Sequence, residues 1–318
     1  MLESERTEKM EKKTITPEEY HKFKFDKTHL PDIEKAGYIS GSTISLMRDP
    51  FKFLVMGEKK QTNSMEWGSL IDMLWLTPLR FDEEYIIQPE NAPSDLRRFR
   101  DSKKPSQETI DSIKWWDEFE KKAKGRNVVS ISQMSEARRA IWMLENHPVA
   151  KEIHSCSEKQ CCYFGNSVLG LPGKMKGMTD LVPDENSEFG DAIVDLKTTH
   201  DISTYAIRNT MFTFEYFMKM RLYIEIVNEY ERESGTGKGE RKRAIMIFEE
   251  SIHPYRVRIV EIPMTDLDLG EFVIRDRVLK MTKIHYEKPM ETINTSVSKI
   301  SMRDWMRESV IENESVGT

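Results

Sequence analysis

Hydrophobic and polar positions divide this chain into a mainly helical first part and a second part that mixes strands and helices. Up to about residue 155, apolar residues recur with helical spacing, and one strand-like segment interrupts them. Residues 91–106 are polar and contain prolines, which predicts an exposed or mobile loop, and a turn is predicted at His147 and Pro148. The predicted helices lie at 42–48, 64–77, 107–124 and 132–146, and the predicted strand begins at Tyr85.

The second part shows strand-like segments of alternating or continuous apolar residues, followed by a helix pair. The order is strand, strand, strand, helices, strand, strand, helix, which predicts an α/β (α+β) core with a central mixed sheet flanked by helices and an N-terminal helical elaboration. The predicted strands run from Gln160 to Phe164, Lys174 to Val182, Ala192 to Lys197, Arg243 to Phe248 and Tyr255 to Ile262. The predicted helices lie at 201–210, 214–233, 265–286 and 301–312.

Two of these strands carry carboxylates in an arrangement that suits a hard metal ion. Side chains alternate along a strand, so Asp195 and Lys197 project from one face. If the two strands pair as a hairpin, Asp180 comes close to Asp195, and the repulsion between the two carboxylates favours a cation such as Mg²⁺. Lys197 could then orient or help to deprotonate a metal-bound water.

The alternative interpretation is an ordinary pair of solvated charges on an edge strand. The neighbours Ile193 and Val194 argue against it, because an apolar strand predicts burial, and a buried carboxylate or ammonium group needs a strong partner. The pattern therefore favours a site.

Composition places limits on the class of protein. Apolar residues make up 38% of the 318 residues and charged residues 32%, which is typical of a soluble globular protein. No apolar stretch reaches the ~20 residues of a membrane helix, and no signal-peptide pattern begins the chain, so we expect a cytoplasmic protein without membrane contact. The three cysteines are typical of a reducing compartment, and we expect them to be structural, without an iron–sulfur cluster.

The net charge of −6 argues against a protein that coats nucleic acid nonspecifically, but not against an enzyme with one basic groove. The basic residues from Lys238 to Arg243 fit either a DNA contact or a charged rim.

Several motifs, in order along the chain, resemble those of the PD-(D/E)xK nuclease superfamily, and more narrowly the RecE (exonuclease VIII) type of phage and prophage exonuclease in its RecB-like branch. They are Gly68-Ser-Leu-Ile-Asp72 with the following Leu-Thr-Pro78, the strand from Leu171 to Asp180, Asp195-Leu-Lys197 with Thr198 and Thr199, the helix from Phe214 to Tyr223, and Ser301 to Trp305. The resemblance extends over about 38–310.

The resemblance implies a role for each matching residue. Asp180, Asp195 and Lys197 would be catalytic, and Mg²⁺, with Mn²⁺ as a substitute, would be bound by the two aspartates and the Leu196 backbone carbonyl. Asp72 stands where relatives place a histidine ligand and Lys219 where they place glutamine, and either replacement is compatible with the chemistry. Tyr223, Lys219, Thr198 and Thr199 would contact DNA.

The resemblance also implies the activity and the partners. We expect 5′→3′ digestion of linear double-stranded DNA from its ends, leaving 3′ single strands for a RecT-like annealing protein, by a homo-oligomeric ring in the cytoplasm of a bacterial host. The alternatives are an endonuclease or Cas4-like end-trimming enzyme with this fold, or an inactive relative that binds DNA or protein.

The expected domain organisation follows from these assignments. Residues 1–16 form a mobile tail, and 17–318 form one nuclease domain. Within it, 17–155 is mainly helical, 156–290 is the catalytic core and 291–318 is a C-terminal segment.

Overall fold

A mixed β-sheet with helices packed on both faces forms the centre of the molecule. The computed structural model describes residues 11–13, 17–57, 62–235 and 239–293. The strands are β1 (Glu11–Lys13), β2 (Tyr38–Ile39), β3 (Tyr85–Ile87), β4 (Asn127–Val129), β5 (Ser157–Gly165), β6 (Lys174–Pro183), β7 (Ala192–Thr199), β8 (Arg243–Glu250) and β9 (Val257–Glu261). The helices are α1 (Pro17–Lys22), α2 (Gly41–Leu46), α3 (Pro50–Val55), α4 (Asn63–Leu76), α5 (Phe81–Glu84), α6 (Gln107–Ala123), α7 (Ile131–Asn146), α8 (Pro148–Ser155), α9 (Thr204–Thr213), α10 (Tyr216–Ser234) and α11 (Met264–Met281).

The strand order of the main sheet is β1-β5-β6-β7-β8-β9, and β2 also pairs with β6. The β7–β8 and β2–β6 pairs are parallel and the others are antiparallel, so the predicted mixed sheet is confirmed. A parallel β3–β4 pair forms a separate small sheet.

Strands β2 and β7 pair with different parts of the same edge of β6, and the sheet opens between them. Strand β2 pairs with Lys174 and Met175 at the start of β6, whereas β7 pairs with it in register at Leu181 and Val194. The hairpin that brings Asp180 towards Asp195 is therefore present as predicted.

Apolar residues from both faces of the sheet form two large cores. Alternation places Ile193 and Met246 in one core with α2, α3, α10 and α11, and Val194 and Leu196 in the other with α4, α7 and α8. Because β7 is covered on both faces, any charged residue on it is removed from water unless the strand end opens.

Two predictions in the helical part agree with the structure. The predicted turn at His147 and Pro148 lies where the chain bends between α7 and α8. Pro148 begins α8, because proline at the first helical position lacks only an N–H that has no partner there, and the His147 ring accepts from the N–H of Ala150 at 3.3 Å. The 91–106 segment is largely exposed, and it is held against α6, since Ser112 Oγ donates to the Ser94 carbonyl at 2.6 Å and Arg100 pairs with Asp117.

Two further predictions concern the first and last parts of the chain. Glu11–Lys13 pairs with β5, so this part of the predicted tail is a strand. The predicted helix at 301–312 and the motif from Ser301 to Trp305 lie outside the described residues. Within the described ranges, none of the helices combines the length and the apolar character that a bilayer crossing requires.

Candidate active site

The hairpin of β6 and β7 is fastened by one of its candidate catalytic side chains. Asp180 Oδ2 accepts a hydrogen bond from the backbone N–H of Leu196 at 2.9 Å. This bond crosses from the end of β6 to β7 and fixes the Asp180 carboxylate beside the segment Asp195-Leu196-Lys197. Both aspartates are buried, with 7% and 4% of their surface exposed.

Lys197 links the two carboxylates. Its Nζ lies 2.6 Å from Asp195 Oδ2 and 3.5 Å from Asp180 Oδ2, and it donates to the Leu196 carbonyl at 2.7 Å. The predicted common face of Asp195 and Lys197 is thus present. The side chain of Lys197 keeps 31% exposure, so its ammonium group lies where the cluster meets solvent.

Helix α4 adds a third carboxylate. Gly68 packs against β7 so closely that a Cβ there would lie 3.3 Å from Thr198 Oγ1. Asp72 lies one turn further along the same face, and its charge interacts with Asp180, Asp195 and Lys197. The glycine therefore allows the close approach of α4 that places Asp72 beside the other two carboxylates.

The pKa values of the cluster show an excess of negative charge. Burial raises the pKa of Asp195 to about 7, where Lys197 opposes this shift and Asp180 adds to it. Burial, followed by the charge of Asp180, holds the pKa of Asp72 well above its usual range. Burial alone would lower the pKa of Lys197, but the three aspartates together hold it well above the usual value. A second cation would relieve this repulsion.

The donor atoms suit a hard divalent cation. Carboxylate and carbonyl oxygens are available from Asp72, Asp180, Asp195 and Leu196, which is the type of ligand that Mg²⁺ prefers. Among the residues that the structure describes, no three His, Cys, Asp or Glu side chains enclose a metal position as they stand. The Lys197 ammonium group is the cation that lies on the Asp195 carboxylate in this structure.

Helix α10 covers the cluster with two tyrosines. The ring of Tyr223 packs on β6 at Gly177, where an added Cβ would meet it at 3.0 Å. Burial, followed by the charge of Asp195, raises the pKa of Tyr223 above its usual range. Burial also raises the pKa of Tyr216 to about 12, and Lys197 and Asp195 act on it in opposite directions. Sequence reasoning missed Tyr216, although it lies seven residues before Tyr223 and so on the same helix face.

The remaining predicted DNA-contacting residues lie around this cluster. The stem of Lys219 packs against Gly41, and its Nζ lies 5.4 Å from the centre of the Tyr216 ring. The Thr198 hydroxyl lies beside Gly68, and the Thr199 hydroxyl donates to the Asp201 carbonyl at 3.2 Å. Lys219 and Thr198 are therefore near the carboxylates, whereas the Thr199 side chain takes part in a local turn.

A buried glutamate that the sequence did not single out fixes the start of α10. Glu215 has a positive φ of 54° and accepts from Arg277 Nη1 at 2.6 Å, Arg277 Nη2 at 2.7 Å and Arg48 Nε at 2.9 Å. Burial opposes its ionisation, but the two arginines lower its pKa overall. The clamp holds the turn that precedes Tyr216.

In the basic cluster that follows α10, the side chains of Arg241 and Arg243 make structural contacts. Arg241 is 1% exposed, donates to the carbonyls of Pro183 and Gly190, and pairs with Glu231 at 3.2 Å. Arg243 pairs with Glu261 at 2.8 Å. Arg241 therefore forms neither a DNA contact nor a charged rim, because its guanidinium group is buried and supports the β6–β7 connection.

The three cysteines lie on or next to β5. All three are free thiols, and Cys161 and Cys162 face different apolar clusters, because neighbouring strand residues point to opposite faces.

Comparisons with known proteins agree with the fold described above. Residues 53–263, more than half of the chain, match the family described as "PDDEXK-like domain of unknown function (DUF3799)". The fold is similar to the crystal structure of a "Putative exonuclease" from Eubacterium rectale, with a TM-score of 0.50 and 15% identity over 92% of this chain and 97% of that one. A search of the curated proteins found no match. The chain therefore belongs to the PDDEXK-like family DUF3799, within the PD-(D/E)xK superfamily.

Proposed function

We propose that this protein is a metal-dependent deoxyribonuclease that hydrolyses phosphodiester bonds at the Asp180, Asp195 and Lys197 cluster. The observation that carries the proposal is the position of the Lys197 ammonium group between two buried carboxylates, with a third carboxylate on α4. An ordinary structural ion pair needs only one carboxylate for each lysine, and burial of a surplus of negative charge is costly.

Asp180, Asp195 and the Leu196 carbonyl would hold Mg²⁺ or Mn²⁺, and Asp72 would be a further ligand. The ion would supply Lewis-acid stabilisation of the charge that develops on the phosphate. Lys197 would leave its contact with Asp195 as the ion binds and would orient the attacking water. Tyr223 and Lys219 would hold the DNA strand, Lys219 as a point charge on a phosphate.

The finer proposal is an exonuclease of the RecE type. The order of motifs from Gly68 to Tyr223 supports it, and so does the name given to the Eubacterium rectale neighbour. The enzyme would digest linear double-stranded DNA 5′→3′ and pass 3′ single strands to a RecT-like annealing protein in phage recombination. A homo-oligomeric ring would reconcile DNA binding with a net charge of −6, because only the channel need be basic.

One observation favours a second candidate, a relative that binds DNA without cutting it. Lys197 Nζ lies 2.6 Å from Asp195 Oδ2 and so already neutralises that carboxylate. If this contact persists when metal is present, the cluster is a structural ion pair.

The test compares wild type with Asp195→Asn, with and without Mg²⁺, on linear and covalently closed circular duplex DNA. Asp101→Asn, an exposed substitution in the 91–106 segment, is the matched control. We expect product only from wild type and the control, only with Mg²⁺ and only from linear DNA. Cutting of the closed circle would indicate an endonuclease, and hydrolysis unaffected by Asp195→Asn would contradict the proposed site.

A further inference from the structure

A groove with a volume of about 780 Å³ lies between β6 and the N-terminal segment at 21–57. Its lining is basic and aromatic. Lys24, Lys52 and His21 are exposed along it, Lys176 is buried at its base, and Phe23 and Tyr38 contribute rings. Asp26 is the one acidic residue among the lining residues that the structure describes, and its carboxylate already accepts from Thr28. The groove therefore matches a ligand that combines negative charge with flat rings.

Two series of contacts connect the groove with the candidate active site. At one end, Ser40 and Ser42 line the groove on either side of Gly41, which packs against Lys219. The Lys219 ammonium group lies over Tyr216, whose phenol interacts with the charge of Lys197.

The second series runs along β6. Lys176 lies four residues before Asp180 on this strand, about 13 Å away by strand geometry. Lys176 Nζ lies 4.0 Å from the centre of the Tyr20 ring, and Tyr20 interacts with Tyr223, which covers the catalytic carboxylates. The groove and the proposed site are thus connected through side chains that contact one another.

The base of the groove concentrates positive charge. Lys176 Nζ donates to the Tyr20 carbonyl at 2.9 Å, and burial lowers the pKa of its ammonium group to about 8. Burial also lowers the pKa of His21, and the charges of Lys176 and Lys24 lower it further. The charges of Lys176 and Lys24 both act at His21, so a phosphate placed there would be stabilised.

We propose that this groove binds an unpaired strand of DNA next to the scissile phosphate. The lysines would contact phosphates, and the rings of Phe23 and Tyr38 would stack on bases. A single strand fits better than a duplex, because paired bases do not offer their faces to protein rings, and the groove has the size of a small-molecule pocket, about 300–1,000 Å³. The inference rests on the proposed nuclease function and specifies the form of DNA that its site receives.

The charge part of the proposal is tested by binding of a fluorescent oligothymidylate without metal, followed by anisotropy over a range of salt concentrations. Lys24→Ala/Lys52→Ala should weaken binding about tenfold and lower the slope of log K against log salt by about 1.4, since each lost phosphate contact on a single strand contributes about 0.7. Lys121→Ala/Lys122→Ala on α6 removes the same charge outside the groove and should leave both quantities unchanged.

The stacking part is tested by Phe23→Leu, which keeps an apolar side chain. Binding of the oligothymidylate should weaken about tenfold. Binding of an abasic strand of equal length should not change, because it has phosphates but no base to stack. An equal loss for both strands would contradict stacking and indicate a general disturbance of the groove.

The outcomes distinguish this proposal from the nuclease function. If Lys24→Ala/Lys52→Ala binds the oligothymidylate as wild type does and still hydrolyses DNA, the proposed role of the groove is overturned and the nuclease function stands. A changed sedimentation coefficient of Lys24→Ala/Lys52→Ala, together with unchanged binding of the oligothymidylate, would also overturn the proposal. It would show that the groove is an interface between copies of this chain. Specific binding in the groove by a wild type that never hydrolyses DNA would support the groove and contradict the nuclease.

Discussion

The carboxylate of Asp180 accepts the backbone N–H of Leu196, so one candidate metal ligand also holds β6 to β7. Replacement of Asp180 would therefore disturb chemistry and folding together. Asp195 and Asp72 are better positions for tests of function, because the contacts described for them are made by side chains and charges.

Asp72→Asn should raise the Mg²⁺ concentration for half-maximal hydrolysis about tenfold, because the affinity of a hard cation depends on the number of charged ligands. The measurement is a Mg²⁺ titration of the initial rate. Asp82→Asn, exposed on α5, is the matched control and should behave as wild type. An unaltered titration of Asp72→Asn would remove Asp72 from the ligand set.

Glu249 should make stability depend on pH. It is fully buried on β8 opposite Thr198, and burial raises its pKa to about 8 although the Trp67 indole opposes this shift. Because this pKa exceeds that of an unfolded chain, the folded state holds a proton that the unfolded state loses, and the free energy of unfolding falls as pH rises.

Between pH 6 and pH 8 this loss amounts to about 2–3 kcal/mol, at 1.36 kcal/mol for each pH unit. Glu249→Gln should remove that part of the dependence and stabilise the protein at pH 8, as measured by urea unfolding. The nearby Trp67 indole N–H, which acts on the Glu249 carboxylate, can donate to the new amide oxygen. Parallel pH profiles for the two proteins would show that Glu249 ionises normally.

Glu215→Ala should lower the free energy of unfolding by about 3 kcal/mol, because Arg277 and Arg48 lose their shared carboxylate. Glu215→Gly also removes the clamp but suits the positive φ, so it should be about 1 kcal/mol more stable than the alanine variant. The free energies of unfolding of both variants are measured by chemical denaturation, and the exposed substitution Glu118→Ala is the control. Equal stability of the alanine variant and wild type would show that the clamp contributes little.

Arg241→Met should cost about 3–5 kcal/mol, since it leaves the carbonyls of Pro183 and Gly190 and the carboxylate of Glu231 without their buried donor. The expected consequence is a lower urea midpoint and faster proteolysis in the connection between β6 and β7. Lys242→Met, exposed at the next position, tests for a general effect of losing a basic residue. A wild-type midpoint for Arg241→Met would contradict a supporting role.

The core of the site could be predicted from sequence because its geometry is local. Alternation along one strand places Asp195 and Lys197 together, and a short hairpin brings Asp180 beside them. Asp72 was found only through resemblance, since nothing in its local pattern indicates the close approach that Gly68 permits. The roles of these residues in catalysis stay predictions.

The parts that sequence reasoning missed depend on distant contacts. Glu215 meets Arg48 from 167 residues away and Arg277 from 62, and no periodicity encodes such pairs. The contacts that fix the loop at 91–106 were missed for the same reason. Its polar composition predicts exposure correctly, but its bonds to α6 arise from packing.

The pairing of β2 with β6 means that the segment shared with the family is smaller than the unit that folds. A chain shortened to 53–263 would lose β2 from the edge of β6 and α11 from the side of α10, and would expose the apolar residues that contact them. Such a fragment would contain Asp72, Asp180, Asp195 and Lys197, yet we expect it to aggregate. Domain boundaries for expression should therefore follow the sheet and include residues 11–281.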